Sequence, residues 1–234
     1  MTKISVLIPV YNERAFVHDN LPELIQWLNK TFDKNYEVVI VENGSTDGTY
    51  EALSILAEDM PQLQLHTLKK ASFGNAVRTA IMKAKGDIGI LLNADWLDRD
   101  FIKNSIKECD TNDFVIGSKL LDPTLDSRPL FRKIASKSLT FLLKKSFGFE
   151  YSDSHGLKAF RLKKVQPLIR LCTLNEIIES ELLLRAQAAH LNITEIPVAI
   201  EEIRAPRISF VKRIHSMGRE LITLHAISNK IQQK

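Results

Sequence analysis

The sequence has few cysteines and no long apolar run. Its two cysteines among 234 residues, Cys109 and Cys172, belong to no paired motif, so neither a disulfide framework nor a zinc site is expected. No run of about 18 apolar residues occurs, which predicts that no helix spans a bilayer. The N-terminal residues lack the apolar stretch of a signal peptide. These absences together predict a cytoplasmic protein.

The sequence also has little net charge. The formal net charge is only +4, from 32 basic and 28 acidic residues, a mild excess that suits an anionic ligand or an anionic membrane surface. Zinc-finger spacings and RNP-like aromatic runs are missing, so a nucleic-acid partner is not expected. With 44% hydrophobic residues, the chain has enough apolar material for one sizeable core, and we expect a single domain, residues 1–234.

Short apolar runs alternate with segments of helical period along the chain. Strands are predicted at Ile4–Val10, Tyr36–Val41, Leu63–Leu68, Ile88–Leu92, Phe114–Ser118, Leu157–Phe160 and Ile193–Val198. Helices are predicted at Phe16–Thr31, Tyr50–Asp59, Gly74–Lys85, Asn175–His190 and Ser209–Lys230. Alternation of this kind predicts an α/β domain with a Rossmann-like, mainly parallel sheet flanked by helices.

Polar clusters follow three of the predicted strands. They are Tyr11 to Glu13, Glu42 to Asp47, and Asn93 to Asp95. In parallel sheets, ligands bind outside the carboxyl ends of the strands. Each cluster alone is typical of turn chemistry, but three at one edge of a sheet favour a binding site.

The clusters lie in motifs that resemble a known family. Val6 to Glu13 reads V-L-I-P-V-Y-N-E, and Glu42 to Thr49 reads E-N-G-S-T-D-G-T. They resemble the first two signatures of family-2 glycosyltransferases, a strand ending in P-x-Y-N-E and a strand ending in D-D-G-S-T-D-G-T. Gly74 to Ile81 and then Lys85 to Asp95 follow in the family order, and the latter strand usually ends in D-x-D.

Later segments resemble one branch of that family, the dolichyl/polyprenyl-phosphate mannosyltransferase-like enzymes. They are Gly117 to Lys119, Asp153 to Arg161, Glu181 to Ala186, and Glu195 to Val198. The resemblance covers roughly residues 3 to 210. It implies a GT-A-like single domain that transfers a hexose, with inversion, from GDP-mannose or a UDP-sugar to a polyprenyl or dolichyl phosphate.

The resemblance also implies that the two parts of that domain bind different substrates. Residues 1–120 would bind the nucleotide-sugar, and residues 121–234 would bind the acceptor through amphipathic helices. A divalent metal, Mg²⁺ or Mn²⁺, would neutralise the departing diphosphate, with Asp95 as its ligand. The donor site is predicted at Pro9, Tyr11, Asn12, Glu13, Glu42, Asn43, Gly74, Arg78, Asn93, Ala94, Asp95, Lys119, Asp153 and Arg204.

Three departures from the family pattern affect the chemistry expected of the site. Asn43 replaces the second aspartate of the D-D pair, Asn93 replaces the first aspartate of D-x-D, and His155 replaces the serine of S-G-F. Asn93 has an oxygen for ribose or a metal-bound water, but it brings no charge. A pseudoenzyme that binds a nucleotide-sugar without turnover is therefore an alternative function.

Residues 128–147 contain six basic residues and no acidic one. Basic amphipathic helices of this kind lie in membrane interfaces, which predicts peripheral attachment to the cytoplasmic face of a membrane. In the lipid-phosphate branch an arginine and a serine four positions later hold the acceptor phosphate, and Arg132 and Ser136 have that spacing. An ordinary surface helix remains an alternative, as does a polysaccharide or protein acceptor. The sequence predicts no oligomeric state.

Overall fold

Strands and helices alternate through a computed structural model that describes residues 2–200 and 218–227. The strands are β1 Ile4–Val10, β2 Tyr36–Glu42, β3 Leu63–Thr67, β4 Ile88–Leu91, β5 Phe114–Ser118, β6 Leu157–Arg161 and β7 Ile193–Pro197. The helices are α1 Arg14–Phe32, α2 Thr49–Asp59, α3 Phe73–Lys83, α4 Arg99–Glu108, α5 Leu130–Phe147, α6 Leu162–Leu171 and α7 Ile178–Ala188. Residues 218–227 are also helical.

The seven strands form one sheet in the order β3-β2-β1-β4-β6-β5-β7. Neighbouring strands are parallel except where β6 pairs with β4 and β5. The predicted α/β class with a mainly parallel sheet is confirmed. Because strands from both predicted halves belong to one sheet, the division at residue 120 remains a prediction about function.

Both faces of the sheet are covered, which explains the unbroken apolar runs in its central strands. In β1, Val6 and Ile8 belong to one buried cluster, while Leu7 belongs to the other. Side chains alternate in this way because successive residues of a strand point to opposite faces. One cluster includes residues of α1 and α4, and the other includes residues of α3, α6 and α7.

The strand order reverses beside β1. The chain moves outward from β1 to β2 and β3, and then returns to place β4 on the other side of β1. Such a switch point leaves a crevice at the carboxyl ends of the two central strands, where open α/β sheets bind ligands. Among the described residues, no helix is both long and apolar enough to cross a membrane.

Candidate active site

The three polar clusters lie at the carboxyl ends of adjacent strands, β2, β1 and β4. Hydrogen bonds join the first two clusters. Asn12 Oδ1 accepts from Thr46 N (2.8 Å), and Asn12 N donates to Ser45 Oγ (2.9 Å). Asn12 has a left-handed φ of 54°, which asparagine tolerates better than most residues. The turn after β1 is thereby fixed against the loop after β2.

Glu13, Glu42 and Asn43 are buried at this edge of the sheet, whereas Tyr11 is exposed. Glu42 Oε1 accepts a hydrogen bond from Ser45 N. Asn43 Oδ1 accepts from Ser72 N (2.7 Å), directly before α3. The amide of Asn43 thus keeps an acceptor oxygen where the family usually has a carboxylate, but without its charge.

Asp95 lies in a tight turn that follows β4. The turn is closed by a hydrogen bond from Trp96 N to Asn93 O (2.9 Å). Ala94 is buried, and Asp95 is exposed next to it. Trp96 Nε1 donates to Ala199 O (3.0 Å), which fixes the turn to the chain that follows β7. The turn therefore presents a carboxylate at the crevice beside β1.

Two predicted donor-site residues have clear structural contacts. Arg78 donates to the carbonyl oxygens of Ile169 and Cys172, and so binds α3 to the C-terminal end of α6. Gly74 approaches the neighbouring loop so closely that a Cβ atom would lie 2.6 Å from Leu174 O. These contacts explain both residues without a ligand, and their nucleotide contacts stay predictions. The predicted Arg204 lies outside the described residues.

Lys119 and Asp153 form an ion pair (Nζ to Oδ2, 2.6 Å), and their side chains are only 5% and 3% exposed. Burial pushes the pKa of Asp153 up, but the Lys119 charge and hydrogen bonds outweigh burial and hold the pKa below its usual value. A second buried pair joins Lys158 Nζ to Glu179 Oε1 (3.3 Å). The sequence placed Lys119 and Asp153 in one site but did not predict their pairing.

Ser136 on α5 has a partner that sequence reasoning missed. Arg128, two residues before the helix, donates from Nη1 to Ser136 Oγ (3.2 Å). The predicted Arg132 is half-buried, and its guanidinium carbon lies 6.0 Å from the centre of the Phe131 ring. Arg128 was missed because the predicted pair, Arg132 and Ser136, was chosen to match the arginine and serine spacing that the resemblance implies. The basic composition of residues 128–147 was the only sequence signal for it.

The sequence profile of the family described as Glycosyl transferase family 2 matches residues 5–165. The match includes all three strand ends and extends through β6. The chain belongs to glycosyl transferase family 2. Solved structures support the GT-A-like fold predicted for such a member. A mannosyltransferase from Pyrobaculum calidifontis, in complex with GDP-Man and Mn²⁺, is 21% identical, with a TM-score of 0.65. The match covers 100% of this chain and 65% of that one.

A second solved structure has the same fold. Glucosyl-3-phosphoglycerate synthase from Mycobacterium tuberculosis, in complex with Mn²⁺, uridine diphosphate and phosphoglyceric acid, is 16% identical, with a TM-score of 0.66. The match covers 97% of this chain and 78% of that one. At this identity the likeness is evidence for the fold alone.

Curated relatives of this family 2 member support the predicted branch. The dolichol-phosphate mannosyltransferase of Pyrococcus furiosus is 31% identical over 139 residues, which are 58% of this chain and 38% of the relative. The undecaprenyl-phosphate 4-deoxy-4-formamido-L-arabinose transferase of Salmonella choleraesuis is 28% identical over 225 residues, 92% of this chain and 65% of the relative. This chain therefore spans only 38% to 65% of the length of these two relatives.

The side chains at the crevice could hold a divalent metal only if a bound nucleotide-sugar supplied further ligands. Within the described residues, no group of three or more histidine, cysteine, aspartate or glutamate side chains could hold a metal ion. One turn offers the Asp95 carboxylate and the Asn93 amide, both hard oxygen ligands of the kind that Mg²⁺ prefers. Mg²⁺ commonly binds one or two carboxylates together with substrate phosphates. This oxygen set therefore suits an ion shared with a diphosphate.

His155 stands beside the two buried ion pairs. Its Nδ1 is 2.9 Å from Ser154 Oγ, while its buried Nε2 has no hydrogen-bond partner in the described part of the chain. Burial lowers the pKa of His155 from 6.5 to about 4, and the Glu179 charge opposes this shift only partly. The imidazole is therefore neutral at pH 7.

Acid should destabilise the protein through His155. The unfolded state binds a proton near pH 6.5 and the folded state only near pH 4, so the free energy of unfolding falls as pH decreases through this window. Between pH 7 and pH 5 the loss should be about 2 kcal/mol. Urea unfolding of wild type and His155→Gln at both values measures it. An equal loss in the two proteins would contradict this assignment, since the Lys119, Asp153, Lys158 and Glu179 charges facing His155 remain in both.

Proposed function

We propose that this chain transfers a hexose from a nucleotide-sugar to a polyprenyl phosphate, with inversion at the anomeric carbon. The proposal rests mainly on one observation: the Asp95 turn and the basic segment that begins at Arg128 are joined through Ala199 and Ile200, the second and third residues after β7. Trp96 donates to Ala199 O, and Ser127 N donates to Ile200 O (3.1 Å). A donor site and a phosphate site held together in this way suit transfer between two phosphorylated substrates.

On the donor side, the chain's own residues bind and orient the nucleotide-sugar. The turn after β1 would enclose the nucleotide, and the buried Glu42 would face its base or ribose. Asp95, with Asn93 beside it, would hold Mg²⁺ or Mn²⁺ against the diphosphate. When bound, the metal supplies positive charge that stabilises the departing nucleoside diphosphate.

On the acceptor side, Arg132 and Ser136 would bind the lipid phosphate. A phosphate oxygen attacks the anomeric carbon while the bond from that carbon to the diphosphate oxygen breaks, and the nucleoside diphosphate leaves with the electron pair. The acceptor oxygen is already ionised, so no side chain has to remove a proton from it. The task of the protein is to hold the attacking oxygen in line, opposite the leaving diphosphate.

The same helix suits contact with a membrane surface. Leu130, Phe131, Ile134, Phe141 and Leu142 of α5 are all exposed, by 46% to 72%. Lys137, Lys144 and Lys145 on the same helix are exposed as well. Apolar side chains with lysines beside them suit an interface that contains anionic lipid. A peripheral position at the membrane would bring the site to its lipid substrate.

Anionic liposomes should bind the protein, and Lys144→Gln/Lys145→Gln should weaken this binding about thirtyfold, because each lysine near such a surface contributes about 1 kcal/mol. Flotation at low and high salt measures it, and salt should reduce the binding of wild type. The matched control is Lys30→Gln/Lys34→Gln, which removes two exposed lysines at the end of α1. Failure of wild type to float at low salt would favour a soluble acceptor.

The function is tested with a panel of nucleotide-sugars, each supplied with polyprenyl phosphate and Mg²⁺ or Mn²⁺. Sugar-lipid should form with at least one donor. Transfer only to a polysaccharide or protein would leave a glycosyltransferase but reject the lipid acceptor. Donor binding without turnover of any donor would support the pseudoenzyme alternative.

Asn93→Asp should retain or raise transfer and make it more dependent on the metal. The substitution adds a charged oxygen ligand next to Asp95 on the same turn. Initial rates across a titration of Mg²⁺ or Mn²⁺ measure the change, with wild type titrated in parallel. A lower rate for Asn93→Asp at every metal concentration would show that the amide itself is required.

A further inference from the structure

Before α5 lies a buried ion pair that reaches into the predicted phosphate site. Asp126 and Arg128 are only 5% and 8% exposed. Arg128 Nε donates to Asp126 Oδ1 (2.9 Å), and Nη2 donates to Oδ2 (2.8 Å). Arg128 Nη1 donates to Ser136 Oγ (3.2 Å). One guanidinium thus joins a buried carboxylate to the hydroxyl expected to bind phosphate.

After the hydrogen bonds within this cluster are counted, Arg128 and Ser136 still have donors that could bind an anion. A guanidinium has five N–H donors, and the three bonds of Arg128 use three of them. Within the described residues, one N–H on each terminal nitrogen has no partner. Ser136 Oγ already accepts from Arg128, so its own proton is available to a second acceptor. Lys133 Nζ bonds to Asp126 O, which adds a further positive charge to the cluster.

The cluster is held at a fixed place relative to the donor turn. Asp126 forms a bridge with Ile200, and Ile200 N donates to Leu125 O (3.0 Å). The preceding residue, Ala199, accepts from Trp96 in the turn that carries Asp95. The hydroxyl that Arg128 orients is therefore connected to the donor turn through a short, hydrogen-bonded path.

We propose that Arg128 is a positioning residue for the acceptor phosphate: clamped by Asp126, it orients the Ser136 hydroxyl toward that phosphate. The inference rests on the proposed transfer to a lipid phosphate. The bidentate contact with Asp126 fixes the guanidinium before substrate arrives, so less side-chain entropy is lost on binding. Because Asp126 offsets the charge of Arg128, the cluster is not an isolated buried cation.

If Arg128 had a purely structural role, its replacement would lower the stability of the fold. The effect of that replacement on phosphate binding would then not depend on whether Ser136 is present. Removing only one partner would leave a buried charge unpaired and could unfold the protein. The test variant is therefore the neutral pair Asp126→Asn/Arg128→Gln, made with and without Ser136→Ala. Arg128→Lys keeps the charge without the planar fork. Arg170→Gln, which removes an exposed arginine of α6, is the matched control.

Calorimetry with citronellyl phosphate, a short polyprenyl phosphate, measures binding of the acceptor class without turnover. The neutral pair should weaken this binding about tenfold or more, since the Ser136 hydroxyl loses the guanidinium that orients it toward the charged phosphate. Ser136→Ala should add little in that background, although it weakens binding alone. Arg128→Lys should restore part of the loss, and donor affinity should stay unchanged throughout.

The outcomes separate this inference from the proposed function. The positioning role would be overturned if the neutral pair and Ser136→Ala weakened citronellyl phosphate binding independently, so that their fold-changes in affinity multiplied in the triple variant. So would a wild type that binds no citronellyl phosphate. Equal binding of inorganic phosphate would assign the cluster to free phosphate and overturn its role toward a lipid. The expected binding pattern with no transfer from any donor would support the positioning role and reject the proposed transferase.

Discussion

Asp95→Ala should abolish sugar transfer, with initial rates at least about a thousandfold lower, because a charge-stabilising interaction of several kcal/mol is removed. Asp95 is exposed in a turn that Asn93 and Trp96 close through backbone atoms. The substitution therefore removes a ligand without disturbing the core. Rates of nucleoside diphosphate release and of sugar-lipid formation, measured with Mg²⁺ or Mn²⁺, test this expectation.

The control for Asp95 is Asp100→Ala, which removes an exposed carboxylate from the first turn of α4. It should retain most of the activity, and far-UV circular dichroism should show the same fold in both variants. Wild type should lose activity when excess chelator is added. Full activity of Asp95→Ala, or of wild type in chelator, would refute the assignment of Asp95 to a metal.

The strands and helices from β1 to β4 could be predicted because local patterns agree with tertiary burial there. The apolar run of β1 is buried on both faces, and its predicted boundaries, Ile4 and Val10, are those of the structure. Two helices were missed. In α4 the buried stripe is narrow, with Phe101 and Ile102 as its only buried apolar side chains, and α6 contains Pro167, which normally predicts the end of a helix.

The contacts within the candidate site were less predictable than its members. The resemblance identified the three strand ends, and the sheet order brings them together as expected. Lys119 pairs with Asp153, 34 residues away, and Arg128 bonds Ser136 from outside the helix. Spacing along a chain predicts neighbours only within one helix or strand. Contacts between residues of different elements depend on how the chain folds between them, so sequence reasoning could not predict them.

Arg132→Ala should lower transfer to polyprenyl phosphate about a hundredfold while leaving nucleotide-sugar affinity nearly unchanged, because a charged hydrogen-bond donor to the acceptor is lost. Arg132 is four residues from Ser136, so the two share one face of α5. Arginine offers a planar fork for phosphate oxygens. Arg132→Lys should restore only part of the rate, since a point charge does not reproduce the fork. Donor affinity by calorimetry beside transfer rate tests each variant.

The contrast between Arg132 and Arg128 sharpens this test. Arg128 is committed to Asp126 and acts through Ser136, whereas Arg132 is expected to contact the phosphate itself. Arg132→Ala should therefore lower transfer in the Ser136→Ala background as well, where the neutral Asp126/Arg128 pair should have little further effect. Equal loss of donor binding would place Arg132 in the donor site instead. Unchanged transfer would make α5 a basic surface helix with no part in catalysis.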